Sequence, residues 1–193
     1  MKKIGLLGGS FDPPHKGHLF ISREAKKILK LDEIWWLVTP QNPLKISIPA
    51  TYSERVKNCK NITRNFPVKI KEIEKKIEAD YSFKTISFIL NHYNNIKFFW
   101  LMGADNLINF HNWQEWKKIF NNMSIVIFKR HGYNTKALKS IASKRYLNSK
   151  ILKTKINLDD FNKLPSWIII ENKEIRISST EIRNQREKFR GKY

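Results

Sequence analysis

Six short apolar segments, separated by stretches with helical periodicity, place the strongest constraint on how this chain can fold. The segments are Lys3–Leu7, Ile34–Thr39, Val68–Ile70, Lys97–Met102, Ser124–Phe128 and Trp167–Ile170. Their length and their content of β-branched and aromatic residues favour buried strands. Strands that alternate with helices are typical of a parallel sheet with helices on both faces. The pattern therefore predicts an α/β fold.

Helical patterns occupy most of the intervals between these segments. Apolar residues fall on one helical face within 21–29, and Thr51-Tyr52-Ser53-Glu54 is a capping box that begins a second helix. Two further helices are predicted from Ser82 to about Tyr93 and from Trp113 to about Phe120. The stretch 132–165, rich in Lys and Asn, is expected to elaborate the same domain as a helix and a loop. The sequence thus predicts one domain over 1–193, a Rossmann-like doubly wound parallel sheet.

The composition excludes several classes of protein. No apolar run approaches the roughly 18 residues that a membrane-spanning helix requires. The apolar stretch near Met1 is too short for a secretory signal peptide and lacks a small-residue cleavage site. Cys59 is the only cysteine, which excludes an internal disulfide and a zinc site built from clustered thiolates. We therefore expect a cytoplasmic protein with no membrane partner.

The net charge of +20, from 37 Lys and Arg against 17 Asp and Glu, raises the question of a polyanionic partner. The basic residues are spread along the whole chain and do not form a continuous basic arm. Three interpretations stay open from charge alone: a solvated basic surface, a field that steers small polyanions, and a groove for nucleic acid.

The segment from Gly8 to His18, directly after the first predicted strand, carries the densest cluster of functional residue types. In a doubly wound sheet, ligands bind at such a strand-to-helix turn. The pattern G-x-G-x-x-G and the Gly-Lys-Ser/Thr of a Walker A loop are both absent from it. Gly8 and Gly9 allow a ligand to approach the backbone, and His15 and His18 stand at a helix start that favours anions. The two histidines are also compatible with half of a metal site, although the rest of a ligand set is missing from this segment.

A second segment, Ile177 to Arg183, lies near the end of the chain and follows the last predicted strand. Ser178 and Glu181 have the spacing of a capping box that opens a helix. Arg183 lies one turn into this helix and could reach back toward an anion bound at its start. Taken alone, the segment is equally compatible with an ordinary capped helix.

These two segments resemble the paired signatures of the nucleotidyltransferase superfamily, whose members transfer a nucleoside monophosphate from a nucleoside triphosphate. The first matches G-x-F-x-P-x-H-x-G-H without a gap, and the second matches I-S-S-T-x-x-R. The ATP-binding residues that the resemblance implies are Gly8, Gly9, Ser10, Phe11, His15, Gly17, His18, Asp105, Ile177, Ser178, Ser179, Thr180 and Arg183. Of these, His15, His18 and Arg183 are the implied catalytic residues.

A third cluster narrows the resemblance to one family. Asp105 follows a predicted strand, and Trp113 comes shortly after it. On residue chemistry alone, Asp105 is compatible with binding a ribose or a metal-linked water, or with capping a helix. Trp113 is compatible with stacking on a base or with a place in the core. Together with Thr39–Lys45, Tyr81–Thr85 and Lys129–Tyr133, the cluster resembles bacterial nicotinate-nucleotide adenylyltransferase.

The family resemblance implies a second binding site, for nicotinate mononucleotide. Its implied residues are Lys45, Ser82, Thr85, Trp113, Gln114 and Arg130, with the pyridine ring on Trp113 and its carboxylate on backbone N–H groups near Ser82 and Gln114. The chain departs from the family pattern where Ser82 replaces a common Thr and His131 a common Pro. The loop that carries Lys45 is also one residue short. Neither superfamily signature is affected by these departures.

The reaction that the resemblance implies is ATP plus nicotinate mononucleotide giving deamido-NAD and pyrophosphate, with Mg²⁺ bound to ATP. The attacking phosphate of the substrate is already ionised, so catalysis needs no nucleophile triad and rests on positioning and electrostatics. In this scheme His18 donates to the α-phosphate and His15 orients a phosphate. Arg183, Ser178 and Ser179 hold the β- and γ-phosphates.

Three alternatives stay open at this point. Two keep the chemistry and change the acceptor, to nicotinamide mononucleotide or to phosphopantetheine. The third is a protein of another class, a basic nucleic-acid-binding protein in which His15 and His18 have no role and binding depends steeply on salt. Because phosphate-binding signatures occur at both ends of the chain, we expect no stable nucleic-acid partner.

Overall fold

The computed structural model describes residues 1–40, 50–152, 156–171 and 177–190, with side chains as far as Asn184. Its strands are β1 Lys2–Gly9, β2 Glu33–Val38, β3 Val68–Lys71, β4 Ile96–Gly103, β5 Ser124–Phe128 and β6 Trp167–Ile170. Its α-helices are α1 Lys16–Ile28, α2 Tyr52–Ile62, α3 Ile73–Lys76, α4 Ser82–His92, α5 Ala104–Ile108, α6 Trp116–Asn122, α7 Asn134–Leu138, α8 Ile141–Arg145 and α9 Ser179–Arg190. Short 3₁₀ helices lie at Phe110–Asn112, Leu147–Ser149 and Leu158–Phe161. All six predicted strands are therefore confirmed.

The strands form one parallel sheet in the order β3-β2-β1-β4-β5-β6. β1 and β4 are neighbours in the sheet although β2 and β3 separate them in the chain, so the strand order reverses between them. In such a sheet a crevice opens at the reversal, outside the carboxyl ends of the strands. The Rossmann-like doubly wound prediction is confirmed, and the crevice is the expected place for a ligand.

The two faces of the sheet enter two separate hydrophobic cores, because successive residues of a strand point to opposite faces. Leu6 of β1 pairs with Trp100 of β4, and both lie in one core. Leu7 pairs with Leu101, one residue further along, and both lie in the other core. Since both faces are covered, the central strands are continuously apolar rather than alternating.

Two helices begin where the sequence placed a capping box. Thr51 Oγ1 accepts the N–H of Glu54 at 3.4 Å, and Glu54 Oε2 accepts the N–H of Thr51 at 3.0 Å. Ser178 Oγ accepts the N–H of Glu181 at 3.1 Å, directly before α9.

None of the described helices is long and apolar enough to cross a membrane.

The predicted helix from Trp113 to about Phe120 is wrong at its start, because α6 begins only at Trp116. The backbone of Trp113 is extended, with φ −75° and ψ 138°, and Glu115 is left-handed, with φ 53°. A left-handed residue cannot continue an α-helix. The ring of Trp113 packs against Phe110 with ring centroids 4.8 Å apart, so tertiary packing outweighs the local helical periodicity here.

In the described part of 132–165 the structure has two short α-helices, α7 and α8, and two 3₁₀ helices, where the sequence predicted one helix and a loop. Ala137, Ala142 and Tyr146 from this stretch lie in the same core as β4 and β5. Trp167 Nε1 of β6 donates to the carbonyl oxygen of Tyr146 at 2.7 Å. These contacts bind α7 and α8 to the sheet.

Candidate active site

A cavity of about 600 Å³ lies where β1 and β4 end, at the reversal of strand order. Its volume is within the range of small-molecule binding sites. Most of the predicted site residues line it: Gly8, Gly9, Ser10, Phe11, His15, Gly17, His18, Ser82, Asp105, Trp113, Gln114, Arg130, Ile177, Ser178, Ser179 and Thr180. The fold thus brings residues from both ends of the chain and from its middle to one cavity.

The loop after β1 is fixed by packing beneath the cavity. A Cβ atom on Gly8 would lie 2.9 Å from Cη2 of Trp100, so only glycine leaves room for this indole. Phe11 has a left-handed backbone with φ 49°, and its ring stacks on Trp36 with centroids 4.7 Å apart. The buried aromatic stack holds Phe11 in a conformation that residues with a side chain rarely adopt.

His15 and His18 form a capping box with each other at the start of α1. Nδ1 of His15 accepts the N–H of Gly17 at 3.1 Å, and Nδ1 of His18 accepts the N–H of His15 at 3.1 Å. The two ring centroids are 3.9 Å apart. Since each Nδ1 is an acceptor, each neutral ring carries its proton on Nε2, which is therefore a hydrogen-bond donor. A Cβ atom on Gly17 would lie 2.9 Å from the His15 ring, so glycine is required at this position.

His15 is uncharged at neutral pH. Only 8% of the residue is exposed. Burial, and to a smaller extent the charge of Arg130, lowers the pKa of His15 to about 4, although Asp105 and Glu181 oppose the shift. A neutral imidazole with its proton on Nε2 orients an anion by hydrogen bonding without adding a charge.

The start of α9 is hydrogen-bonded to the loop after β1. Ser179 Oγ donates to the carbonyl oxygen of Pro13 at 3.0 Å, and Arg183 Nη1 donates to that of Asp12 at 2.5 Å. Arg183 Nη2 also donates to Thr180 Oγ1 at 3.2 Å. The N-termini of α1 and α9 therefore meet at the cavity, and both favour a bound anion.

Asp105 and Arg130 form an ion pair across the ends of β4 and β5. Arg130 Nη2 also donates to the carbonyl oxygen of Ile177 at 3.2 Å, which joins the pair to the segment before α9. Oδ1 of Asp105 is buried and has no hydrogen-bond partner among the residues that the structure describes. A Cβ atom on Gly103 would lie 2.5 Å from this oxygen. A buried carboxylate oxygen without a partner in a cavity wall suits a donor from a ligand, such as a hydroxyl group.

A second part of the cavity wall combines a helix start with an aromatic ring. α4 begins at Ser82, and the preceding Tyr81 provides no side-chain cap. No side chain in the described part of the chain accepts the first N–H groups of this helix, which favours a bound carboxylate. Trp113 lies edge-on to Trp100, with centroids 6.3 Å apart, and remains partly exposed to the cavity.

Two predicted site residues do not line the cavity. Thr85 is fully buried on the inner face of α4 and does not line the cavity. Arg183 does not line it either, because its guanidinium is held at the loop after β1. Arg130, predicted beside the nicotinate nucleotide, does line the cavity and pairs there with Asp105 of the predicted ATP set. Lys45 lies outside the described residues.

Some cavity residues were not predicted from the sequence. Trp100 lies within β4 and has apolar neighbours on both sides, which indicated a core residue. Its indole reaches the cavity because Gly8 leaves space for it. Thr39 and Tyr133 also line the cavity. Gly8 is the sequence signal for Trp100. That the two residues lie close together follows only from the pairing of β1 with β4.

No group of three or more His, Cys, Asp or Glu side chains is close enough to hold a metal ion in the part of the chain that the structure describes. Asp105 is paired with Arg130, and Asp12 has a carboxylate oxygen 3.9 Å from Arg183. These donors fit a metal that arrives with a polyanionic ligand better than one held by a protein cage.

The chain is similar to known proteins over most of its length. The family model for cytidylyltransferase-like proteins matches residues 6–185. A probable nicotinate-nucleotide adenylyltransferase from Ruegeria sp. (strain TM1040) is 40% identical over 182 residues, 94% of this chain and 96% of the relative. A probable nicotinate-nucleotide adenylyltransferase from Rhizobium meliloti (strain 1021) is 35% identical, over 94% of this chain and 97% of the relative.

A solved structure has the same fold. Plasmodium falciparum nicotinic acid mononucleotide adenylyltransferase complexed with NaAD superposes with a TM-score of 0.71 over 95% of this chain and 83% of that chain, at 19% identity. This likeness concerns the fold alone, whereas the sequence matches extend over nearly the whole chain at 35% and 40% identity. The chain therefore belongs to the nicotinate-nucleotide adenylyltransferase family of cytidylyltransferase-like proteins.

Proposed function

We propose that the protein transfers AMP from ATP to nicotinate mononucleotide and releases deamido-NAD and pyrophosphate. The observation that carries the proposal is the make-up of a single cavity. One part of the cavity wall consists of the starts of α1 and α9 and the pair His15 and His18, and these groups favour bound phosphates. Another part joins the uncapped start of α4 with Trp113, which suits a pyridine carboxylate. The names of the relatives in the family support the same assignment.

In the proposed reaction a phosphate oxygen of nicotinate mononucleotide attacks the α-phosphorus of ATP. The new P–O bond forms while the bond from the α-phosphorus to the oxygen that bridges to the β-phosphorus breaks. Pyrophosphate leaves with that electron pair. The attacking phosphate is ionised at neutral pH, so no residue has to act as a general base. Catalysis then consists of holding two polyanions in line and stabilising the charge that develops on them.

The phosphate-binding roles follow from the start of α1 and the start of α9. We propose His18 as the donor to the α-phosphate in the transition state and His15 as a neutral ligand that orients a phosphate. Nδ1 of His15 is occupied by the N–H of Gly17, so Nε2–H is its donor to substrate. Ser178 and Ser179 are proposed for the β- and γ-phosphates. Arg183 supports that turn through the loop after β1, because its guanidinium is already bound there.

The acceptor nucleotide is proposed to lie between Trp113 and the start of α4. The pyridine ring stacks on Trp113, and its carboxylate accepts N–H groups near Ser82 and Gln114. Oδ1 of Asp105 is proposed to accept a ribose hydroxyl of ATP, since Asp105 lines the cavity and this buried oxygen lacks a partner among the described residues. Thr85 is left out of this proposal because it is buried away from the cavity.

Mg²⁺ is proposed to enter as part of the MgATP substrate, where it neutralises charge on the triphosphate. The carboxylates of Asp105 and Asp12 are directed at arginines, which fits this arrangement. We further propose that the enzyme acts in the cytoplasm as one domain over 1–193. The packing of α7 and α8 on the sheet supports the inclusion of 132–165 in that domain.

The test is pyrophosphate release from MgATP by the purified protein, with nicotinate mononucleotide, nicotinamide mononucleotide and phosphopantetheine offered in parallel. Strong preference for the first is expected, and the His18→Ala variant, purified in the same way, controls for contaminating activity. Preference for the second keeps the chemistry and overturns the assignment of the acceptor. If none of the three supports pyrophosphate release and the protein binds nucleic acid in a salt-sensitive manner, the proposed function is overturned.

A further inference from the structure

Arg55 of α2 is a charged residue buried beneath the loop after β1, with 1% of its surface exposed. Its Nη1 donates to the carbonyl oxygens of Ser10 and Thr39, each at 2.7 Å. Its Nη2 donates to Pro40 at 2.5 Å, and its Nε donates to Ala50 at 3.0 Å. One guanidinium therefore binds four backbone carbonyl oxygens from three separate segments. No carboxylate forms an ion pair with it within the described residues.

Such an arrangement is costly, and stability alone does not call for it. Burying a charged side chain carries a large desolvation penalty, and an apolar side chain of similar size often serves a core equally well. The planar fork of arginine differs from an apolar residue in fixing several acceptors in one geometry. What Arg55 supplies is therefore the relative position of the segments whose carbonyl oxygens it binds.

Two of those segments contribute residues to the cavity wall. Ser10 follows β1 and Thr39 follows β2, the two strands are neighbours, and both residues line the cavity. The N–H of Thr39 donates to the carbonyl oxygen of Gly9 at 3.0 Å, which continues the pairing beyond the strands. Arg55 joins the same two segments through its hydrogen bonds to the carbonyl oxygens of Ser10 and Thr39. The ends of β1 and β2 are thus held from two sides.

The contact with Ser10 also orients a peptide group. The Ser10–Phe11 bond is trans, so its carbonyl oxygen and its N–H point in opposite directions. With the oxygen held by Arg55, the N–H of Phe11 points away from the guanidinium. Within the described residues this N–H has no acceptor, although Phe11 is only 2% exposed and lines the cavity. Buried N–H groups without an acceptor are rare, which indicates that a ligand supplies one.

We propose that Arg55 is a positioning residue for phosphate transfer: by binding the carbonyl oxygens of Ser10 and Thr39, it aims the backbone of the loop after β1 at substrate phosphate. This inference rests on the proposed function. Arg55 touches neither substrate nor reacting atoms, and its effect reaches the chemistry through the Ser10–Phe11 peptide. A misplacement of about 1 Å in such a group costs roughly 10²-fold in rate.

The test compares Arg55→Met and Arg55→Lys with two matched controls. Arg23→Met makes the same chemical change at an exposed arginine of α1. Val56→Ala removes buried packing from the neighbouring position of α2 and lowers stability without touching the four carbonyl oxygens. Thermal unfolding, steady-state pyrophosphate release with nicotinate mononucleotide, and calorimetric binding of ATP and of adenosine are measured for each variant below its unfolding temperature.

Arg55→Met is expected to lower kcat roughly 10²-fold and to weaken binding of ATP while binding of adenosine, which has no phosphate, stays within twofold. Arg55→Lys, which keeps the charge and reaches fewer of the carbonyl oxygens, is expected to fall between Arg55→Met and the wild type. If Arg55→Met does not fold, Arg55→Lys carries the same comparison. Kinetics and ATP binding equal to those of Val56→Ala would overturn the positioning role. A wild-type protein that is inactive with nicotinate mononucleotide would instead refute the proposed function. In that case, the change in ATP binding relative to adenosine binding in the Arg55 variants would still decide the role of Arg55.

Discussion

Replacing His15 by asparagine should separate its two tasks, the capping of α1 and the donation of a hydrogen bond to phosphate. In the structure Nδ1 caps the helix through the N–H of Gly17, while Nε2–H is the donor proposed for substrate. Asparagine is among the best N-cap residues, and its side-chain oxygen can accept the same N–H. It has nothing in the position of Nε2. His15→Asn should therefore keep the cap and lose the donor.

The loss of the cap and the loss of the donor each have an expected size. Loss of a cap costs about 1 kcal/mol, which lowers Tm by about 2–4 °C in a chain of this length. His15→Ala and His15→Asn both lose the ring contact with His18, so the difference in stability between them isolates the cap. Removing one preorganised donor from a site of developing charge typically costs roughly 10²–10³ in rate. His15→Asn should then be about 1 kcal/mol more stable than His15→Ala and as poor in turnover.

The assay combines thermal unfolding with pyrophosphate release from MgATP and nicotinate mononucleotide. His92→Asn is the matched control, because His92 is an exposed histidine of α4 that does not line the cavity. Its turnover should equal that of the wild type. Turnover of His15→Asn within a few-fold of the wild type would show that the ring serves only as a cap. Equal stability of His15→Asn and His15→Ala would show that the cap contributes nothing.

The remaining predictions concern His18, Trp113 and the pH dependence of stability. His18→Ala should lower kcat by roughly 10²–10³ while the Kd of ATP measured by calorimetry changes far less; comparable losses in both would refute a transition-state role. Trp113→Ala should raise KM for nicotinate mononucleotide by roughly 10–100-fold without changing KM for ATP, and Trp113→Phe should recover part of the loss. Equal shifts in both KM values would contradict stacking on the pyridine ring. The folded-state pKa of His15, about 4 against 6.5, means that the unfolded chain binds this proton first. Stability should therefore be complete above pH 6.5 and fall as the pH drops toward 4, by ~2 kcal/mol once contact with water is allowed for. Denaturant titrations across this range should show the fall in the wild type and a smaller one in His15→Asn.

Spacing along the chain was enough to predict the six strands and several of the helices. The six strands could be predicted because buried parallel strands are continuous apolar runs. The starts of α2 and α9 could be predicted because a capping box depends on residues three positions apart. The residues of the loop after β1 and of the start of α9 were identifiable for the same reason. Each signature lies within a few consecutive residues, so local spacing is enough to read it.

Contacts between distant elements decide which residues face the cavity and which lie behind its wall. Thr85 turns into the core because α4 buries that face, and Trp113 precedes its helix because its ring packs on Phe110. Arg130 is drawn to Asp105 by opposite charge across two strand ends. Arg55 binds segments up to 45 residues away, and no local pattern marks it. Side-chain direction and long-range contact depend on packing between elements, and sequence spacing does not record that packing.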